Sequence, residues 1–127
     1  MRIVNKEMIK IVMTDIISSL LAPLNVPYYD SPPEFPEGED EELYIYYSLY
    51  SCPKLRGGGV LMAEEYTVTL TVAARDVTQG DTLSGQVRDL FEENGFVWTG
   101  CSYTRDNDFP RGNLCSIDFK YVIERIE

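Results

Sequence analysis

Apolar and polar positions alternate strictly near the carboxyl end of the chain. Cys115, Ile117, Phe119, Tyr121 and Ile123 are interleaved with Ser116, Asp118, Lys120, Val122 and Glu124. A repeat of two is the mark of a strand buried on one side. Glu64 to Arg75 carries the same signal, with Tyr66, Val68, Leu70, Val72 and Ala74 facing one way and Thr67, Thr69, Thr71 and Arg75 the other. Leu43 to Ser51 alternates as well, but with aromatic content on both faces. Leu43, Ile45, Tyr47 and Leu49 form the better core set, which leaves Tyr44, Tyr46, Ser48 and Tyr50 pointing outward. These two strands are expected to pair antiparallel. Phe96 to Thr104 and Asn113 to Arg125 predict a closing hairpin, with Arg105 to Gly112 as its exposed loop. Folding it about Asp108 sets Val97, Thr99 and Cys101 opposite Phe119, Ile117 and Cys115. Trp98 then stands opposite Asp118 on the solvent face, where a large aromatic marks a contact surface.

A helical repeat occurs twice. From Asn5 to Leu21, Ile9, Met13, Ile16 or Ile17, and Leu20 make one apolar stripe, with Asn5 as N-cap and Pro23 ending the helix. From Thr82 to Asn94 the stripe is Leu83, Val87, Leu90 and Phe91, capped by Asp81 or Thr82 and stopped by Asn94-Gly95. Gly85 lets this helix approach a neighbour closely or is a tolerated surface glycine. Val26 to Tyr29 is a short extended piece. Asp30 to Glu42 holds three prolines and, after Asp30, six acids, Glu34, Glu37, Glu39, Asp40, Glu41 and Glu42, and reads as an extended loop. Cys52 to Met62, with Pro53, Lys54, Arg56, Gly57, Gly58 and Gly59, reads as a flexible hairpin arm longer than a tight turn needs. The order α-β-β-α-β-β predicts a single α+β domain over residues 1–127. Its sheet is mainly antiparallel, with four to five strands and two helices packed on one face.

Charge narrows the partners. With 21 acidic against 11 basic residues the formal net charge is −10, which disfavours specific binding of DNA or RNA. No apolar run is long enough to cross a membrane, and Glu7 and Asp15 are foreign to a signal peptide. The expectation is a cytosolic chain with no membrane partner. Catalytic chemistry is poorly provided for. There is no histidine to act as general base or metal ligand. The three cysteines, Cys52, Cys101 and Cys115, form no paired motif, and the fold-back register puts the last two on one buried face as ordinary thiols. The triple glycine lacks the order of a phosphate-binding loop. Asp106 and Asp108 are simply explained by pairing with Arg105 and Arg111. No catalytic residue, metal or cofactor is expected, so the chain is read as a non-enzyme.

The organisation as a whole resembles the small tail-terminator or tail-completion proteins of long-tailed bacteriophages and prophages, or a related head–tail joining protein. The likeness is carried by the long first helix, the strand with "YYSLYS", the glycine-bearing arm, "EEYTVTLTV", "LSGQVRDLFEENGF" and the closing "SIDFKYVIERI". It runs from about Met8 to the end and rests on element order, size and texture. It implies self-assembly into a ring, usually hexameric, that ends the tail tube and offers a docking face to the head. The partners would then be further copies, tail-tube and head-completion proteins, and the location the virion tail or neck after assembly in the host cytoplasm. The family has no catalytic residues to transfer.

The residues themselves suggest Tyr44, Tyr46, Tyr50 and Trp98 as an oligomer interface and Lys54, Arg56, Gly57, Gly58 and Gly59 as an assembly arm. Glu37, Glu39, Asp40, Glu41 and Glu42 would form an acidic lumen that DNA passes without adhering. Two other readings stand beside this one. A DNA-mimic inhibitor would present carboxylates along a continuous face, and a monomeric acidic adaptor would bind one host protein.

Overall fold

The computed structural model describes residues 6–33, 42–57, 60–105 and 113–124, with the backbone alone at 6–11, 51–57, 60–64, 105 and 123–124. Helix α1 spans Lys6–Leu21 and passes into a 3-10 turn, Ala22–Leu24, that contains Pro23 and closes on Asn25 in the left-handed region. Strands β1 (Tyr28–Tyr29), β2 (Leu43–Gly57) and β3 (Val60–Ala74) follow, then helix α2 (Val77–Glu93) and strands β4 (Val97–Arg105) and β5 (Asn113–Glu124). The strands form one mixed sheet in the order β1-β2-β3-β5-β4. Only β1 runs parallel to its neighbour, β2; the remaining pairings are antiparallel.

The expected alternation holds through β2, β3 and β5. Register rows such as Ile45–Val72–Cys115 and Tyr47–Leu70–Ile117 stack apolar residues on one face. Both helices meet that face: Met13, Ile17 and Leu21 of α1 and Leu83, Val87 and Phe91 of α2 lie in one buried cluster with it. Phe91 stacks on Phe119 with centroids 5.4 Å apart and meets Phe96 edge-on at 4.9 Å. Each of these fully buried rings contributes about 1.5–3 kcal/mol by leaving water. Phe96 in turn stacks on Tyr121 at 4.4 Å, so the helix, the turn after it and the last strand are locked by aromatic contact.

Helix α2 begins five residues earlier than the periodicity predicts. Asp76 is its N-cap, accepting from the backbone N–H of Thr78 at 2.8 Å and of Gln79 at 3.2 Å. Its buried stripe is Gly80, Leu83, Val87 and Phe91. Gly80 is the position of close approach, since a Cβ there would lie 2.9 Å from the Cβ of Ala74. Gly85 has nothing within 4 Å of that position and makes no such contact. Gly95, at φ 91°, supplies the expected left-handed stop.

Two strands reach further than expected. Pairing between β2 and β3 continues through the glycine-bearing arm to Gly57 opposite Val60, with irregularities on either side of Leu55. The segment from Cys52 to Met62 is therefore largely a paired hairpin and not a free arm. Gly58 and Gly59 lie outside the described residues, as do Asn5 and Glu37, Glu39, Asp40 and Glu41.

Candidate assembly surface

The helices cover one face of the sheet, and the other face divides into two ends and a polar middle. In the middle, the Thr69 hydroxyl donates to Asp118 Oδ1 at 2.7 Å, and the hydroxyls of Thr71 and Ser116 are 2.9 Å apart. These side chains stand directly opposite one another in the register, so the polar groups satisfy each other across β3 and β5.

The end near the start of β2 is closed by the chain itself. Tyr44 is only 1% exposed, although it belongs to the helix-free face. It lies across from Ala73, meets the ring of Tyr29 edge-on at 6.1 Å, and has the Tyr46 ring 6.3 Å away. The short parallel strand β1 puts Tyr29 beside Tyr46, within ring contact of Tyr44. Tyr44 is therefore corrected from an outward contact residue to a buried one, and Tyr46 is half-buried.

The opposite end is open. Tyr50 of β2, Thr67 of β3, Lys120 of β5 and Val97 of β4 form one register row. Tyr50 is 69% and Val97 63% exposed, and Val122, one step further along β5, is 41% exposed. A cleft of about 490 Å³ lies among Glu65, Gly95, Val97, Lys120, Tyr121 and Val122. Two of these residues, Lys120 and Glu65, form an ion pair with Nζ and Oε1 3.4 Å apart. Sequence reasoning missed both valines: the simple fold-back set Val97 opposite Phe119 on the buried face, whereas it pairs with Lys120 on the other face, and Val122 stands singly at a polar-face position without an aromatic signal.

Trp98 is not on this face. It pairs with Phe119, while Gly100 pairs with Asp118, and Thr99 between them is the extra residue of a bulge. From Gly100 to Arg105 the register differs by two from a simple fold-back, which preserves the faces; the bulge then shifts by one and turns Trp98 to the helix side. There the Arg88 guanidinium lies 5.3 Å from the Trp98 ring centroid. Asp81, Ser84, Gly85 and Arg88 of α2 line a second cleft, of about 320 Å³, with Trp98, Cys101, Cys115 and Ile117. The expectation that Trp98 marks the solvent face is overturned.

Cys101 and Cys115 do share a face and both are free thiols, but Cys101 is exposed and Cys115 half-buried. The open second cleft, in place of a sealed core, accounts for this. Lys54, Arg56 and Gly57 fall on the far part of β2, described by backbone only, and Glu42 is exposed just before that strand. Among the described residues no cluster of three metal-ligating side chains occurs, and no helix is long and apolar enough to cross a membrane. Compared with models of protein families the chain matches none, and no curated protein matches it in sequence.

Proposed function

We propose that this protein is a non-enzymatic assembly protein of a phage or prophage, forming a ring on the end of a tail tube that terminates the tail and joins it to the head. The observation that carries the reading is the open end of the helix-free face. Tyr50, Val97 and Val122 expose apolar surface there. Exposed apolar side chains spread along one end of a sheet face suit a subunit contact. The element order resembles that of tail terminators, and a net charge of −10 suits a passage for DNA that must not stick. Within this reading Tyr50 and Tyr46 remain interface residues, Lys54, Arg56 and the glycines form the assembly arm, and Glu37 to Glu42 line the lumen.

Electron microscopy of purified tail tubes mixed with the protein tests the proposal. Ring-shaped caps and arrested tube growth are expected. Bare tube ends that keep growing favour the acidic adaptor or the DNA mimic.

A further inference from the structure

The sheet has two edges, and each carries a stretch with no described strand beside it. On one side β1 pairs only Ile45 and Tyr46 of β2, so the outer edge of β2 is open from Tyr47 onward among the described residues. That edge stays regular to Cys52; Pro53 then removes an N–H, and irregularities follow on either side of Leu55. On the other side β4 pairs with β5, and its regular stretch runs from Gly100, past the bulge at Thr99, to Arg105. Proteins protect exposed edges with bulges, prolines and charges. Within these two six-residue stretches, Tyr47–Cys52 and Gly100–Arg105, the terminal Arg105 is the one such device.

The two edges match in direction and in backbone pattern. The antiparallel pairings β2–β3, β3–β5 and β5–β4 leave β4 running opposite to β2. The Ile45 N–H donates to the Pro27 carbonyl at 2.9 Å, so Ile45 turns its backbone groups away from β3, and by alternation Tyr47 and Leu49 do too. At the far edge the Thr99 hydroxyl donates to the Asp118 carbonyl at 3.2 Å, so that carbonyl points to β4. Gly100, opposite Asp118, then turns its groups inward and Cys101 outward. Tyr47 and Leu49 pack on the helix side, and Cys101 lies on the same side opposite Ile117. A second copy set edge to edge, with its helices on that side, therefore meets donors with acceptors.

We infer that Gly100 to Arg105 of β4 pair antiparallel with Tyr47 to Cys52 of β2 in a neighbouring copy, continuing the sheet from subunit to subunit. Tyr103, 46% exposed, then comes opposite Leu49 of the next copy, and Ser102 opposite Tyr50, 69% exposed. A chain of net charge −10 meets least repulsion from its own copies where its charge is absent. Trp98 precedes the bulge and stays outside the paired stretch. The two edges are different surfaces, so the contact is head-to-tail, the kind that propagates around a ring. This inference rests on the reading that copies of the chain assemble, but it requires neither a tail nor DNA.

The test is a disulfide trap. In full-length chains with Cys52, Cys101 and Cys115 replaced by serine, one carries Thr104→Cys and the other Ser48→Cys, both at exposed positions. The inferred register sets these two opposite each other in a non-hydrogen-bonded pair, with Cα atoms about 4.5 Å apart, within disulfide reach. Under oxidised glutathione, with the protein free and at tail-tube ends, a linked pair of unlike chains is expected. Ser102→Cys, two residues out of register, is expected to lose that link to the Ser48→Cys chain. Circular dichroism melts check folding; if the serine background does not fold, alanine replaces serine at Cys115. No linked pair in either setting, or equal linking of the Ser102→Cys chain, would overturn the inference. So would a wild type that links through Cys101 to Cys101, which pairs β4 with β4. A linked pair together with bare tube ends would leave the contact standing and remove the tail function; capped tubes without the link would do the reverse.

Discussion

Trp98 stands across from Phe119, not from Asp118, and the single extra residue Thr99 separates the two arrangements. The indole therefore lies beneath Arg88 of α2, and its 41% exposure comes from the cleft beside that helix. Trp98→Ala is expected to cost about 1–2 kcal/mol in denaturant unfolding, less than the ~3–5 of a fully buried tryptophan. It should leave self-association unchanged. Since this is the chain's one tryptophan, Arg88→Ala should shift its fluorescence with a loss of about 0.5–1 kcal/mol from the cation–π contact. An unaltered spectrum would contradict the placement of Arg88.

The two glycines of α2 should respond oppositely to alanine. At Gly80 the added methyl meets the Ala74 Cβ at 2.9 Å, and a Cβ cannot rotate aside as the end of a longer side chain can. Overpacking of ~1–3 kcal/mol then outweighs the gain of about 1 kcal/mol in helix propensity. At Gly85 no atom lies within 4 Å, so Gly85→Ala should stabilise by about 0.5–1 kcal/mol. Thermal melts of the two variants check both signs.

Tyr47 is expected to set part of the alkaline limit. Burial raises its phenol pKa above the usual 10.0, the Asp30 carboxylate adds to this, and a hydrogen bond with Ser18 partly opposes it. A raised folded pKa means that the unfolded chain loses this proton first. Its contribution is then intact below about pH 10 and declines as pH rises through the folded value. Tyr47→Phe should lower stability at neutral pH by about 1 kcal/mol for the lost hydrogen bond. It should also flatten the fall in stability above pH 10. An alkaline limb identical to that of the wild type would contradict the assignment.

Much of this architecture was legible in the residue pattern because burial imposes it directly. The stripe containing Met13 and Ile17, the alternation of Val68, Leu70 and Val72, and the Asn94-Gly95 stop all report a face that must leave water. The start of α2 was hidden because its stripe begins at Gly80, which has no side chain to register as apolar. Asp76 and Gln79, spaced as a capping box, were the available signal. The side of Trp98 was not legible, since a bulge changes register by one residue without altering composition. Nor was the burial of Tyr44, since a two-residue parallel strand that brings Tyr29 into ring contact with it leaves no periodic signal.

Hydroxyl-radical footprinting of the free protein and of the same protein bound at tail-tube ends measures subunit contact at the open end of the sheet most directly. Tyr50, 69% exposed in the single chain, should become protected on assembly, together with the segments around Val97 and Val122. Trp98 should change little. Equal reactivity of Tyr50 in the free and tube-bound protein would contradict the assembly surface.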